Sequence, residues 1–518
     1  MSLITEKKSS RTILLFTILL AVFIVPMSLA GTGIILPAIG QALGTKINIV
    51  SLQWVAPSFN LCFASFTLLW GALADRFGRA RTFTLGCLLF AVASIASGLA
   101  PNGYTLDIAR AFAGVGAAAV FACGPAILSN HFSGHALTRA FALFGSVAGA
   151  GVAFGPTLAG VLLHLLGWQS VFYAHAIGLV VVTVLSLSFD EKHVVPNHKV
   201  GFDWLGSGLF VVGLFALMFA IVQASQWGSL SLPILGILAG VVILFVLFIY
   251  REKRYPAPML HLEILKNRIF LAMTMVPVVL AFCYVTIILY LPIYLMSVLQ
   301  FNPVNAGIAI ILLTGPVFVL PFLSSKLIQI GLTPKTIISI AMGFMLFSIF
   351  SLQIIHPTST LLSLALPMLT GGIAMGLSFG TVDGIALSTI PPEKSGMAAG
   401  LLNTFRLGSE AIAITIFASV FTIALYTNLS TVGVSVVGAE HLSTWLNTIA
   451  EGHLNVNLNT FGQTSSTAQQ YATQQATIAY DKAFHITLWV MSVIGVILTA
   501  WILLLLRSPD SVKSAVTE

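Results

Sequence analysis

The sequence predicts an all-α membrane protein: two six-helix bundles with pseudo-two-fold symmetry plus two inserted helices, fourteen transmembrane helices in all. Composition is the first reason. The chain of 518 residues is 58% hydrophobic and only 8% charged, with a mean hydropathy of +1.00, whereas soluble domains carry about a quarter charged residues. The second is a series of apolar runs, each near the ~20 residues that cross a bilayer. The third is that the charges between runs gather on one side.

Taken in order, the runs are 12–36, 50–73, 82–100, 104–127, 140–163, 170–189, 205–223, 232–250, 269–297, 304–325, 336–355, 361–389, 397–425 and 484–506. Six of them fill 12–189, the first bundle, after a short N-terminal segment, 1–11. The inserted pair and its basic linkers take 190–268, six more runs fill 269–506, and a tail covers 507–518. Transporters built from repeats hold their substrate near the midplane where the repeats meet. The segment 426–483, rich in Asn, Thr, Gln and Ser, reads as a non-membrane loop in which 440–451 and 464–482 could form two short helices.

The net charge of +7 is explained by placement rather than by nucleic acid. With the N-terminus inside, inner segments collect Lys7, Lys8, Arg11, Arg76, Arg79, Arg81, Arg139, Lys192, Lys199, Arg251, Lys394, Arg507 and others, while outer loops hold only Lys46 and Lys482. This is the positive-inside bias. It predicts a multi-pass plasma-membrane (inner-membrane) protein with both ends cytoplasmic, and the first apolar run is too long for a cleaved signal. Cys62, Cys87, Cys123 and Cys283 all fall inside runs without metal-ligand spacing, and read as packing residues.

The first motif is Gly71-Ala-Leu-Ala-Asp75-Arg76-Phe-Gly78-Arg79-Ala-Arg81, a tight cationic turn with one carboxylate between two spans. Gly71 and Gly78 let the chain turn, and Asp75 can pair with neighbouring arginines or cap a helix N-terminus; topogenic charge is the plainer role for the arginines. The second, Asp107-Ile-Ala-Arg110-Ala-Phe-Ala-Gly114-Val-Gly116, puts an arginine inside a span, where it is costly and so a functional candidate. Asp107 lies three residues earlier on the same helix face, so an ion pair between the two is the structural alternative. The third runs Gly145, Gly149, Gly151, Gly155, Pro156, Gly160. Such spacing lets helices approach closely, and the proline removes a backbone bond, which makes a bendable seam. The fourth is Gly201-Phe-Asp203-Trp204-Leu-Gly206, opening the inserted pair, with Trp168, Phe172, His175 and Gly178 before it.

In order and spacing these four motifs resemble the major facilitator superfamily, and within it the 14-span drug:proton antiporter branch. The first is close to that family's G-x-L-a-D-R-x-G-R-(K/R), with Ala80 in place of a cation. The second resembles R-x-x-Q-G-x-G with Ala113 for Gln, and the third resembles g-x-x-x-G-P-x-x-G-G with Ala159 for one glycine. The resemblance implies proton-coupled export by alternating access. It also implies a cytoplasmic gate at Gly71, Asp75, Arg76, Gly78, Arg79 and Arg81, a part in proton coupling for Arg110, and a monomer. Where the branch carries a first-span acid, this chain has Ser28, which tilts the expected substrate towards neutral or anionic compounds.

Proton coupling needs a group that titrates while water reaches it from either side in turn. The candidates inside spans are Asp107, Asp383 and Glu410, with Arg406 one turn before Glu410. Glu410 stands roughly 20 Å into its helix, near the midplane, and is the first choice, with Arg406 modulating it; a neutralised Arg406–Glu410 pair is the structural alternative. Asp383, on the edge of a glycine ladder and only about 9 Å from the inner end, could line the cavity or reach inner water. His175 reads as a hydrogen-bonded packing residue. Candidate cavity liners are Ser28, Trp54, Asn60, Phe63, Tyr284, Tyr290 and Tyr294, each equally at home in the core.

The partners expected are a small-molecule substrate, protons and membrane lipid. No cofactor or metal is implied, and neither hydrolase nor phosphate-loop motifs occur at membrane-compatible positions. A proton-coupled uptake symporter, and a non-transporting receptor or scaffold using 426–483, are the competing functions.

Overall fold

A computed structural model describes residues 2–44, 49–189, 201–228, 231–458 and 466–507. Lys46, the linker residues 190–200, residues 459–465 and the tail from 508 lie outside the described residues.

The described chain is helical throughout. The first six helices are α1 (Ser2–Leu43), α2 (Ile49–Phe77), α3 (Arg79–Gly98), α4 (Gly103–His131), α5 (Gly134–Leu166) and α6 (Gln169–Ser186). The inserted pair is α7 (Trp204–Trp227) and α8 (Leu232–Arg254). The second half comprises α9 (Arg268–Leu280), α10 (Thr286–Ser297), α11 (Pro303–Thr314), α12 (Pro316–Gln329), α13 (Pro334–Ser351), α14 (Leu361–Ser378), α15 (Thr381–Ser388), α16 (Ser395–Val437), α17 (Leu442–Ala450) and α18 (Ser466–Leu506).

These helices make fourteen spans, because three spans are interrupted and the nine-residue α17 does not cross. A π turn at Ala281–Val285 joins α9 to α10, Gly315 separates α11 from α12, and Phe379–Gly380 separates α14 from α15. Proline and glycine at the last two breaks remove a backbone donor or permit a sharp turn. In hydrocarbon every backbone group needs an internal partner, so breaks of this kind sit where neighbouring helices cover them.

Three hydrophobic cores organise the described chain. The buried residues of one come from the first six helices, centred on Phe59, Phe83, Phe90, Phe121 and Phe144, and a smaller one joins Ile35, Val55, Leu106, Trp168 and Phe172. The third fills the second half and continues into Phe210, Leu214 and Met218 of α7 and into Leu61, Leu68 and Ala72 of α2. The inserted pair therefore packs on the second half and against α2. Leu85, Leu88, Val92 and Ile95 of α3, like Val242, Ile243 and Val246 of α8, are exposed, as lipid-facing side chains are. All four cysteines are free and buried.

One expectation is corrected. The segment 426–483 is not mostly loop: α16 continues to Val437 and α18 begins at Ser466, so the second short helix is the first part of the last span's own helix. Gly433 packs against Leu442 and Trp445 of α17, Leu429, Val436, Val437, Leu446 and Ile449 are buried, and Ala472, Ala476, Ala479, Tyr480 and Ala483 line the buried side of α18. These positions recur at the helical period, and the polar residues between them, which lower the hydropathy, lie on the other side.

Candidate functional site

Arg76, Arg79, Arg139, Arg251 and Lys394 lie at helix ends or turns on one face of the bundle, called here the basic face. On that face α2 meets α16. The backbone at Gly71 lies so close to Gly396 that a Cβ would strike its carbonyl, and a Cβ at Gly400 would stand 2.7 Å from the Thr67 carbonyl oxygen. Gly78, at φ 103°, turns the chain from α2 into α3 within one residue. Across that turn Arg79 Nη2 pairs with Asp75 Oδ1 at 2.7 Å. Asp75 also accepts the backbone N–H groups of Gly396 (2.9 Å) and Met397 (2.7 Å), which open α16. Arg79 donates further to the carbonyls of Ala126 and Pro392. Arg76 lies over the rings of Phe77 and Phe202, and Arg81 is also partnered.

A second contact between the halves runs along α5. A Cβ at Gly145 would meet the Phe379–Gly380 backbone at 2.9–3.0 Å, and one at Gly149 would meet Val317 at 2.9 Å. Ser146 Oγ donates to the Phe318 carbonyl at 3.0 Å. The motif's remaining glycines face elsewhere: Gly151 abuts Phe23, and Gly155 abuts Met27, both on α1. Gly160 touches only Ile34 Cγ2, at 4.0 Å, and Pro156 lies within α5. The glycine run thus serves two different interfaces.

Within the first half, Arg110 is 1% exposed. It donates to Ser28 Oγ (3.0 Å) and the Val55 carbonyl (3.3 Å), and its guanidinium carbon stands 4.4 Å from the Phe59 ring centroid. The structural alternative, an ion pair with Asp107, is not formed: Asp107 Oδ1 is buried without a hydrogen-bond partner, as is Arg110 Nη2. The i,i+3 spacing allows the pair, but Ser28 and the Phe59 and Phe172 rings draw the guanidinium towards α1, α2 and α6. His175, expected to be hydrogen-bonded, is 1% exposed with Nδ1 unpartnered.

In the second half, Arg406 also has a different partner from the one expected. Its Nη2 pairs with Asp383 Oδ2 at 2.8 Å, and its Nη1 donates to Asn403 Oδ1 at 2.6 Å. Asp383, 2% exposed, is therefore buried and paired and does not reach water at the membrane surface. Glu410 makes no hydrogen bond or ion pair among the described residues. With Arg406, Ser378 and Phe379 it lines a cavity of about 30 Å³ beside the π turn, room for a water molecule.

The candidate liners are dispersed. Ser28 is held by Arg110, Trp54 stacks on Phe219 of α7 at 5.3 Å, and Asn60 is exposed. Phe63 belongs to the first core. Tyr284 is buried and donates to Leu313, Tyr290 stacks on Phe417, and Tyr294 stacks on Phe484 and donates to Asp481. In this conformation Phe63, Tyr284 and Tyr294 are core residues rather than cavity walls, because each ring finds an aromatic or backbone partner. Two features escaped the sequence reading. Asn403 carried no signal beyond its helical spacing to Arg406, and the Tyr294–Asp481–His485 cluster lay partly in the segment read as loop.

Fourteen spans closed across one face by contacts between two halves, with buried ionisable groups behind the closure, define a membrane transporter. The chain belongs to the Major Facilitator Superfamily, whose family model matches residues 18–414. It is 30% identical over 407 residues to "Multidrug resistance protein Stp" of Mycobacterium tuberculosis (strain CDC 1551 / Oshkosh), covering 78% of this chain and 71% of that protein. It is 29% identical over 387 residues to "Riboflavin transporter RibZ" of Clostridioides difficile (strain 630), covering 74% and 82% respectively. The fold is also that of the proton:xylose symporter XylE, at a TM-score of 0.61 and 13% identity over 96% of each chain. It is an integral multi-pass membrane protein that moves a small molecule across the membrane. Among the described residues no group of His, Cys, Asp and Glu could hold a metal ion.

Proposed function

We propose that the protein couples small-molecule movement to protons by alternating access, with Glu410 as the proton-linked carboxyl and the basic face as the cytoplasmic one. The reading rests on one relationship. The α2–α16 contact closes the basic face, and further along α16 Glu410 borders a small cavity, beside Arg406 but without a hydrogen bond or ion pair of its own among the described residues. Charge bias supports the orientation. The Asp75–Arg79 pair and the Gly71–Gly396 contact would then be the cytoplasmic gate, and rigid-body rocking of the halves would open it.

Direction has two readings. Export by a 14-span drug:proton antiporter draws on the α5 glycine motif and on relatives named for drug resistance, including "Puromycin resistance protein pur8" of Streptomyces alboniger, 29% identical over 435 residues. Proton-coupled uptake draws on the relative named a riboflavin transporter and on a fold that also serves a proton symporter.

The test uses purified protein in sealed liposomes with an imposed pH gradient and a panel including puromycin and riboflavin. Glu410→Gln should keep exchange without a gradient and lose gradient-driven accumulation. A variant that accumulates substrate as the wild type does removes Glu410 from coupling. Inside-out vesicles separate the directions, since only an exporter fills them.

A further inference from the structure

Arg406 stands between two carboxylates of different status. Asp383, on α15, holds it at 2.8 Å. Glu410, one turn along α16, lies roughly 6 Å further along the axis and shares a cavity with it. Asn403 Oδ1 accepts from Arg406 on the side away from Glu410, while Asn403 Nδ2 donates to the Phe121 carbonyl of α4, in the other half, at 3.0 Å. The helix break at Phe379–Gly380 brings α15 within reach: Gly380, at φ 78°, packs on the Phe141 carbonyl of α5, and the Phe379 ring lies under the Arg406 guanidinium. Asp383–Arg406–Asn403 therefore ties the α5 contact to an α4–α16 contact, about one turn along α16 from Gly400 of the α2–α16 contact.

We propose that Asp383 and Asn403 are positioning residues that hold Arg406 off Glu410 and so brace both inter-half contacts shut while Glu410 carries its proton. The inference rests on the reading of Glu410 as the proton-linked carboxyl. When Glu410 releases its proton to cavity water, a second anion competes for Arg406, the pull on Asp383 weakens, and the basic face opens. Few other groups interfere. Around the cavity, α9 and the π turn present Pro277, Leu280, Ala281 and Val285, α14 presents Ser378, and Arg406 and Asp383 are the charged groups near Glu410. Met218 of α7 packs nearby at Gly408.

The test places spin labels at His135→Cys and Glu393→Cys, exposed sites on the basic face in opposite halves, and reads their separation against pH in liposomes. The native cysteines are buried. The parent protein should stay closed at low pH and populate a longer distance as pH rises. Asp383→Asn should show the long distance at both ends of the range, Asp383→Glu should restore the response, and Asn403→Ala should move the midpoint down by about one pH unit, the size of one lost hydrogen bond to a charged group. A wild-type pH response in Asp383→Asn and Asn403→Ala overturns the brace. If Asp383→Asn does not fold, an unshifted midpoint in Asn403→Ala overturns it alone. An unchanged response in Glu410→Gln instead overturns the reading of Glu410, so the two failures are distinct.

Discussion

The carboxylate of Asp75 caps a helix that belongs to the other half of the molecule: it accepts the Gly396 N–H at 2.9 Å and the adjacent Met397 N–H at 2.7 Å while paired with Arg79. The first amides of a helix have no intrahelical acceptor and carry the positive end of its dipole. An anion supplied from α2 satisfies them only while the halves are together.

Asp75→Asn should therefore favour opening of the basic face. Losing one charge-assisted hydrogen bond costs about 1.5–3 kcal/mol, so maleimide labelling of a cysteine at Thr67, which is fully buried beside Gly400, should accelerate by about tenfold or more in the Asp75→Asn background. Equal rates would mean that the cap does not hold the face shut.

Gly71→Ala should disrupt the same contact by volume alone, since its Cβ would fall on the Gly396 carbonyl. Transport should drop and labelling at Thr67→Cys should rise. Gly343→Ala, where a Cβ would meet nothing within 4 Å, is the control; with a favourable helix residue replacing glycine, it should raise stability by about 0.5–1 kcal/mol and leave transport unchanged.

Ser28 lies 3.0 Å from a buried arginine that has no carboxylate partner. Ser28→Asp should fold, because Arg110 supplies its counter-charge, and it should shift transport towards cationic compounds. Ser28→Asp combined with Arg110→Gln leaves an uncompensated buried charge, which costs about 3–5 kcal/mol, and should unfold at lower temperature than either single variant. Additive melting shifts would show that the two side chains do not meet.

Trp445, 1% exposed, anchors α17 between the extended ends of α16 and α18, with Gly433 against its ring. Trp445→Ala should cost about 3–5 kcal/mol locally, visible as faster hydrogen exchange over Leu442–Ala450, with transport retained. Parallel loss of transport would make this extension part of the transport machinery.

Span number and position were legible because each depends on a long local property, apolar length. Asp75 and Gly78 were legible too, as a short pattern with a physical purpose, whereas Gly71, read as a turn residue, lies inside α2 and serves the close approach to Gly396. What escaped depended on helix breaks and on neighbours distant in sequence. Arg406 was assigned to Glu410 because residues one turn apart are neighbours on a helix face. Asp383, 23 residues away, wins because the chain turns at Gly380, and within the apolar run 361–389 that glycine looks like any other in a packing ladder. Asp107 and Arg110 show the converse: a permitted local pair gave way to Ser28, 82 positions off. The helical ends of α16 and α18 were hidden because their burial is against each other and not in lipid.

The most direct test is to record luminal pH and solute together in sealed liposomes holding the wild-type protein, with solute added and no gradient imposed. Coupled alternating access predicts that solute entry shifts luminal pH in fixed proportion, acid-ward for symport and base-ward for antiport, and that Glu410→Gln abolishes the shift while solute still exchanges. Solute movement without any proton movement, or no movement of any solute tested, would contradict it.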